Sequence, residues 1–292
     1  MKRNILYSLL ISSTLFACNS SPSQKSDENK KQDTAVSQNS EKAKDNINSE
    51  NQEFYGSYVG SFNAIEIEEK EKLKYTNKIN LSIDRIEKDS IWGHSVVAGN
   101  DRKFKGTFIK KDTLWSVVAK EAGNDPYDGV FTFDLYLSKK AIEGIWKPYD
   151  KKLSKEGRKL NLEKKTFKYD PKLNITADMI PVYNSYNEKS GESELITPDA
   201  SKFNASTHQL TSKDVENMYK RDLEILRNTI YARHGYAFKN RKMRDFFDIY
   251  VDWYIPVSTD VSKELTDLEI KNIELIKRYE KHATAYYDSF GR

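Results

Sequence analysis

The sequence predicts an α+β chain, in which an antiparallel, barrel-like β meander of about eight strands precedes a small three-helix C-terminal domain. Three observations carry that expectation. From about Phe54 to Tyr169 the chain is a series of aromatic and β-branched runs that alternate with period two. Short turn-forming strings separate those runs. Beyond Leu210, apolar residues recur at helical spacing behind two threonine-initiated helix starts.

The chain of 292 residues has room for two ordinary domains and their connections. Met1-Lys2-Arg3-Asn4 is a short positive segment, and Ile5 to Phe16 is an uncharged, mostly apolar run of 12 residues. That run is shorter than the ~20 residues a membrane-spanning helix needs, and suits the hydrophobic part of a signal peptide. It ends in Leu15-Phe16-Ala17-Cys18, which resembles the lipobox of bacterial lipoproteins: an aliphatic residue, two usually small residues and an invariant cysteine. The resemblance implies a signal peptide over residues 1–17, diacylglycerol on the Cys18 thiol and a fatty acyl group such as palmitate on the new amino terminus. It also implies a protein held on the bacterial cell membrane or outer membrane, facing the periplasm or the exterior. Two or three acyl chains at ~0.8 kcal/mol per methylene make such an anchor effectively permanent. Cys18 is the only cysteine, so no intramolecular disulfide can form and no other thiolate is available for catalysis.

Residues 18–52 read as a disordered tether. Asn19 to Gln52 holds no aromatic residue, and its only aliphatic side chains are Ala35, Val36, Ala43 and Ile47. Such a segment cannot bury enough apolar surface to offset the ordering of its backbone. Its 34 residues span roughly 30–35 Å as a random coil.

The β domain is expected over residues 53–169, with strands at Phe54–Phe62, Tyr75–Ile86, Ser90–Val97, Lys103–Ile109, Thr113–Ala119, Gly129–Leu137, Ala141–Lys147 and Lys159–Tyr169. Phe131, Phe133 and Leu135 alternate with Thr132, Asp134 and Tyr136, and Ile79, Leu81 and Ile83 repeat the pattern. Asn100-Asp101, Lys111-Asp112 and Gly123-Asn124-Asp125-Pro126 are expected turns. Gly56-Ser57-Tyr58-Val59-Gly60 and Gly144-Ile145-Trp146 loosely resemble lipocalin-like barrels, which would imply a small-ligand carrier. An eight-stranded barrel either holds one small ligand or is filled by its own side chains. Trp92, Trp115 and Trp146 are pocket candidates, but core is the favoured reading because aromatics dominate small β cores. His94 has no partner at metal-ligand spacing and is read as structural. Residues 170–206, rich in Asn and Ser and broken by Pro171, Pro181 and Pro198, are expected to be a linker with one short strand near Ile180–Tyr186.

Residues 207–292 are the expected helical domain. Leu210-Thr211-Ser212-Lys213-Asp214-Val215 and Leu265-Thr266-Asp267-Leu268-Glu269-Ile270 carry one code: a threonine cap, an acid three residues later and flanking apolar residues. The first helix presents Val215, Tyr219, Leu223, Leu226 and Ile230, the last Leu268, Ile273, Ile276 and Tyr279, and a shorter helix at Arg241–Ile249 lies between them. The stretch Leu226 to Tyr236, with Phe238, Trp253-Tyr254, Leu265-Thr266, Glu269 and Asn272, is similar to YARHG domains, named for the string seen here as Tyr231-Ala232-Arg233-His234-Gly235. The similarity covers roughly Leu210 to Lys281. It implies an exported bacterial protein, since these domains occur mostly in exported proteins and lipoproteins, and it brings no reaction with it.

Two readings of the string are available, and the first, a helix terminator, is the favoured one. Gly235 in a left-handed conformation would end the helix, with Tyr236 folded back on Tyr231 and with Arg233 and His234 beside the negative helix end. Alternatively, Arg227, Tyr231, Arg233, His234, Tyr236, Arg241, Trp253 and Tyr254 form a basic aromatic surface for a carboxylate- or phosphate-bearing polymer. Six cations and no acid lie between Arg227 and Arg244, which supports the second reading, while Asp245, Asp248 and Asp252 immediately afterwards support the first.

Function classes narrow by charge and motif. Loss of residues 1–17 removes Lys2 and Arg3 and lowers the formal net charge from +4 to about +2, so no general pull toward nucleic acid exists and polyanion binding requires a local patch. His94, His208, His234 and His282 show no HExxH or paired metal-ligand spacing, and neither a phosphate-binding glycine loop nor GxSxG is present. No metal, cofactor or catalytic residue is therefore expected, although His234 with Asp245 is one hydrolytic pair that folding would allow. The expectation is a noncatalytic recognition module at the cell envelope, with peptidoglycan, another envelope polymer or a protein as partner. An envelope hydrolase is the alternative.

Overall fold

Eight strands pair in chain order near the expected positions: β1 (Gly56–Ala64), β2 (Thr76–Glu87), β3 (Ser90–Val97), β4 (Asn100–Lys110), β5 (Leu114–Glu121), β6 (Gly129–Tyr136), β7 (Ala141–Pro148) and β8 (Arg158–Lys165). Each is antiparallel to the next, and β1 pairs with β8 to close a barrel. The computed structural model describes residues 49–65, 76–181, 183–187 and 192–286. Cys18, the expected signal peptide and most of the expected tether lie outside the described residues.

The period-two pattern fills the barrel. Tyr58, Phe62, Ile79, Leu81, Phe104, Phe108, Val117, Phe131, Phe133, Leu135, Leu160 and Leu162 point inward and are buried in one cluster. Trp115 stacks on Phe108 at 4.5 Å, and Trp146 meets Phe62 edge-on at 5.8 Å. These two tryptophans are core residues, whereas Trp92 lies on the outside of β3. Gly144 makes room for this packing, because a Cβ there would sit 2.5 Å from the Phe133 Cβ. His94 also faces outward and bonds Asp84 at 2.8 Å.

Three boundaries differ from expectation. Asn100 and Asp101, expected in a turn, begin β4; the chain reverses at Ala98-Gly99, both at positive φ, in a two-residue hairpin loop. β8 stops at Lys165, and residues 166–169 leave the barrel for the helical domain. The end of the expected tether is folded: a 3-10 turn at Ser49–Phe54 closes one barrel mouth, with Phe54 4.8 Å from Trp115.

Residues 170–206 also depart from the linker expectation. Ile175, Ile180, Ile196 and Ala200 are buried in one core with Ile225, Phe238, Phe246, Phe247 and Tyr254. Two strands, β9 (Tyr183–Asn187) and β10 (Glu192–Ile196), form a hairpin where one strand was expected. Asp222 accepts bonds from the Thr197 amide and hydroxyl at 2.8 and 2.6 Å, which ties this segment to the helices. The polar composition hid these contacts, because four well-spaced apolar side chains were enough to anchor the segment.

Among the described residues the helical part has four helices, where three were expected: α1 (Ser212–Val215), α2 (Lys220–Arg233), α3 (Arg241–Tyr250) and α4 (Asp267–Tyr286). Both threonine-initiated starts are present. Thr211 and Asp214 form a reciprocal capping box, and Glu269 accepts from the Thr266 amide and hydroxyl. The first expected helix breaks after Val215 and resumes at Lys220, which lets Val215 and Met218 enter the same core as Leu223 and Leu226. Tertiary packing there outweighs a modest helix propensity. α3 packs against β2, so the barrel and the helices share an interface.

Candidate functional site

The site grows from the end of α2. Gly235 has φ +73°, and its amide donates to the Ala232 carbonyl at 2.9 Å while the Tyr236 amide reaches back to the Tyr231 carbonyl at 3.0 Å. This pair of bonds is a Schellman stop. The accompanying side-chain contact is present, with the Tyr231 and Tyr236 rings 6.0 Å apart. A Cβ on Gly235 would lie 2.3 Å from Val257 Cγ2, so both conformation and packing require glycine.

Arg233 and His234 turn inward rather than toward solvent. Arg233 is 1% exposed. Its guanidinium donates to the Leu173 carbonyl, to Ser206 Oγ at 3.0 Å and to Asn174 Oδ1 at 2.8 Å. His234 bonds Glu269 at 2.9 Å through Nε2 and stacks on Tyr169 at 4.3 Å. Glu269 gathers the network by also accepting from Ser206 Oγ at 2.6 Å and from the Tyr169 hydroxyl at 3.2 Å. Burial opposes the charge on Glu269, but the donors from His234, Ser206 and Thr266 outweigh it and hold the carboxyl down to about 2. Burial and the neighbouring Glu269 push the Tyr169 phenol up to about 12.

These positions correct the ligand-surface expectation for three residues. Arg233, His234 and Tyr254 are buried, and their polar atoms are engaged inside the domain; the Tyr254 hydroxyl donates to the Tyr236 carbonyl at 2.7 Å. His234 is paired with Glu269 and not with Asp245. Arg241 is held 2.7 Å from Asp245 across one helical turn. Trp253 donates its indole N–H to the Asn174 carbonyl at 3.0 Å. Arg233 and Trp253 border a cleft of about 230 Å³ beside residues 166–173, but the guanidinium nitrogens are directed at Leu173, Asn174 and Ser206.

Three expected site residues do come together on the surface. Arg227, Tyr231 and Tyr236, with Asn228, Asp260, Val261 and Ser262, line an open cleft of about 290 Å³. Arg227 is oriented by Glu280, which accepts from its Nε at 2.7 Å. The opposite wall is a braced loop: Val257 and Ser258 donate to the Gly235 carbonyl at 2.8 and 3.1 Å, and Asp260 accepts from the Ser262 amide at 2.9 Å. The donors from Ser262 hold the Asp260 carboxyl below its ordinary value. A guanidinium and a carboxylate thus flank two tyrosine rings, an arrangement able to bind a hydroxylated ligand that carries both charge signs. Asn228, Asp260 and Ser262 had no distinguishing signal, since Asp260-Val261-Ser262 reads only as turn composition.

Residues 196–281 match the family model of the YARHG domain. The match reaches further toward the amino terminus than Leu210, in keeping with the burial of Ile196 and Ala200 in the same core as α2 and α3. Neither the curated proteins nor the solved structures gave a match to the chain. Within the matched region the signature string is chiefly internal. It ends α2, and its arginine and histidine hold Tyr169, Leu173 and Asn174, which precede the matched region.

Proposed function

We propose that the chain is a noncatalytic recognition protein of the bacterial cell envelope, held to a membrane by lipid on Cys18, whose YARHG domain grips a peptidoglycan-type polymer in the Arg227–Tyr231–Tyr236 cleft. The cleft carries this reading. Tyrosine faces suit sugar rings, Arg227 suits a carboxylate, and Asp260 suits an ammonium or hydroxyl of a peptide stem. The hydrolase alternative has less support. The acid–base pair built from the signature string, His234 and Glu269, has side chains 4% and 0% exposed, so a substrate has no route to it. A small-ligand carrier is disfavoured by the barrel interior, which is occupied by its own aromatic and aliphatic side chains.

The test is retention of the Ile47–Arg292 unit on purified sacculi. Arg227→Ala with Tyr236→Ala is expected to cut retention at least about tenfold, the loss of one charge-assisted bond and one ring contact. Arg241→Ala is expected to change little. Equal retention by all three, or none by the parent, removes the cleft reading, and release of soluble muropeptides establishes a hydrolase instead. The anchor is tested separately: Cys18→Ser must abolish palmitate labelling and release the protein from membranes.

A further inference from the structure

The outside of the barrel carries a feature that neither the fold nor the cleft accounts for. Strand register places Arg85, Trp92, Lys105, Lys120, Val130 and Lys147 directly beside one another in a single outward row across β2 to β7. The neighbouring positions Ile91, Gly106, Ala119, Phe131 and Trp146 are buried, so the alternation turns the row to solvent. Arg85, Lys105, Lys120 and Lys147 are exposed. No acid interrupts the row, and the three lysines make no ion pair among the described residues. The acids near the β2 end are already engaged, Asp84 with His94 at 2.8 Å and Glu87 with Arg85 at 3.8 Å. Trp92 is incorporated into the row, with the Arg85 guanidinium 3.7 Å and the Lys105 ammonium 5.2 Å from its ring centroid.

Like charges placed directly opposite each other on adjacent strands destabilise a sheet. Lys105 opposite Lys120 is therefore a cost to the fold, and an acid at either position would relieve it. Geometry also selects the partner. The row runs over six of the eight strands, so it curves around more than half of the barrel. A flat bilayer touches only a few of these strands at once, whereas a flexible chain can follow the whole arc.

We propose that this belt is a binding surface for a flexible linear polyanion with phosphate-type repeats, engaged by wrapping around the barrel. Binding is electrostatic and needs a chain long enough to bridge the lysines, with Trp92 holding Arg85 and Lys105 in line. The surface is separate from the Arg227 cleft and acts without it.

Titration of the full chain carrying Cys18→Ser with long-chain inorganic polyphosphate over a range of salt tests the proposal. Lys105→Gln, Lys120→Gln and Lys147→Gln together are expected to weaken binding by at least about tenfold and to reduce the magnitude of the log–log salt slope by roughly 2, at ~0.7 per released counterion. An equal charge change elsewhere, Lys263→Gln with Lys271→Gln and Lys277→Gln, is expected to leave both near the parent values. Tripolyphosphate is expected to bind far more weakly than the long chain. The proposal is overturned if the parent does not bind, if both triple variants lose affinity equally, or if tripolyphosphate matches the long chain. It is also overturned if vesicles rich in phosphatidylglycerol hold the parent more tightly than polyphosphate does, since the surface would then be a membrane contact.

Discussion

Lys78 of the barrel and Asp248 of α3 are joined across the two halves of the folded chain: the Lys78 amide donates to Asp248 Oδ2 at 3.0 Å. The Lys78 ammonium continues past the acid to the Val251 and Tyr254 carbonyls at 2.8 and 3.2 Å, where α3 ends. Burial draws Lys78 down to about 8 against the pull of Asp248, and burial raises Asp248 to about 7 despite the nearby amide and cation. A strand of the barrel thus supplies donors to the carbonyls at the end of a C-terminal helix, and the two parts stabilise each other.

Lys78→Ala keeps the backbone bond but leaves two carbonyls without their donor and Asp248 without its neighbouring cation. The expected loss is about 2–4 kcal/mol, read from urea unfolding with barrel tryptophan fluorescence and helical circular dichroism followed together. A change below about 0.5 kcal/mol, the ordinary effect of a surface substitution, would show that the contact does not couple the two parts.

Arg233→Ala is expected to act on stability rather than on recognition. It removes donors from Leu173, Asn174 and Ser206 in a closed interior, at a cost of about 3 kcal/mol or more. Arg233→Lys recovers little of this, because a single ammonium cannot reach three acceptors set around a planar fork. Chemical denaturation measures both variants. Unchanged stability combined with lost sacculus binding would instead make Arg233 a ligand contact.

Glu269 predicts an acid limb in the stability profile. Held down to about 2 from an ordinary 4.5, it binds fewer protons folded than unfolded, so its contribution is complete above that ordinary value and is lost as pH falls toward 2. Glu269→Gln is expected to be less stable at neutral pH and to lose less on acidification from pH 6 to pH 3. Melting curves of parent and variant across that window decide the matter; parallel curves would mean that Glu269 is not the titrating group.

Much of the architecture was legible before the structure. Eight strand runs, both capping boxes and the stop at Gly235 follow from interactions between residues only a few positions apart, and such patterns survive in a one-dimensional reading. The site was less legible. Arg227, Tyr231 and Tyr236 could be identified because all three sit around the end of one helix. Asp260 and Ser262 come from a loop whose place opposite that helix is set by bonds from Val257 and Ser258 to Gly235. The six-cation run suggested one continuous patch, yet folding sends Arg233 inward, pairs Arg227 with Glu280 and pairs Arg241 with Asp245.

The division between the two levels follows the reach of the forces. Alternating side chains, threonine caps and a left-handed glycine act within a turn or a strand, so the order and type of most elements were already written in the chain. The charge of Arg233 was equally visible, but its role depended on Leu173, 60 positions earlier, and that of His234 on Glu269, 35 positions later. Desolvation and pairing of a charge are decided by whatever the fold brings around it. For that reason Arg233 and His234 became the polar interior of the fold, while Tyr231 of the same string lines the cleft with Arg227 and Tyr236.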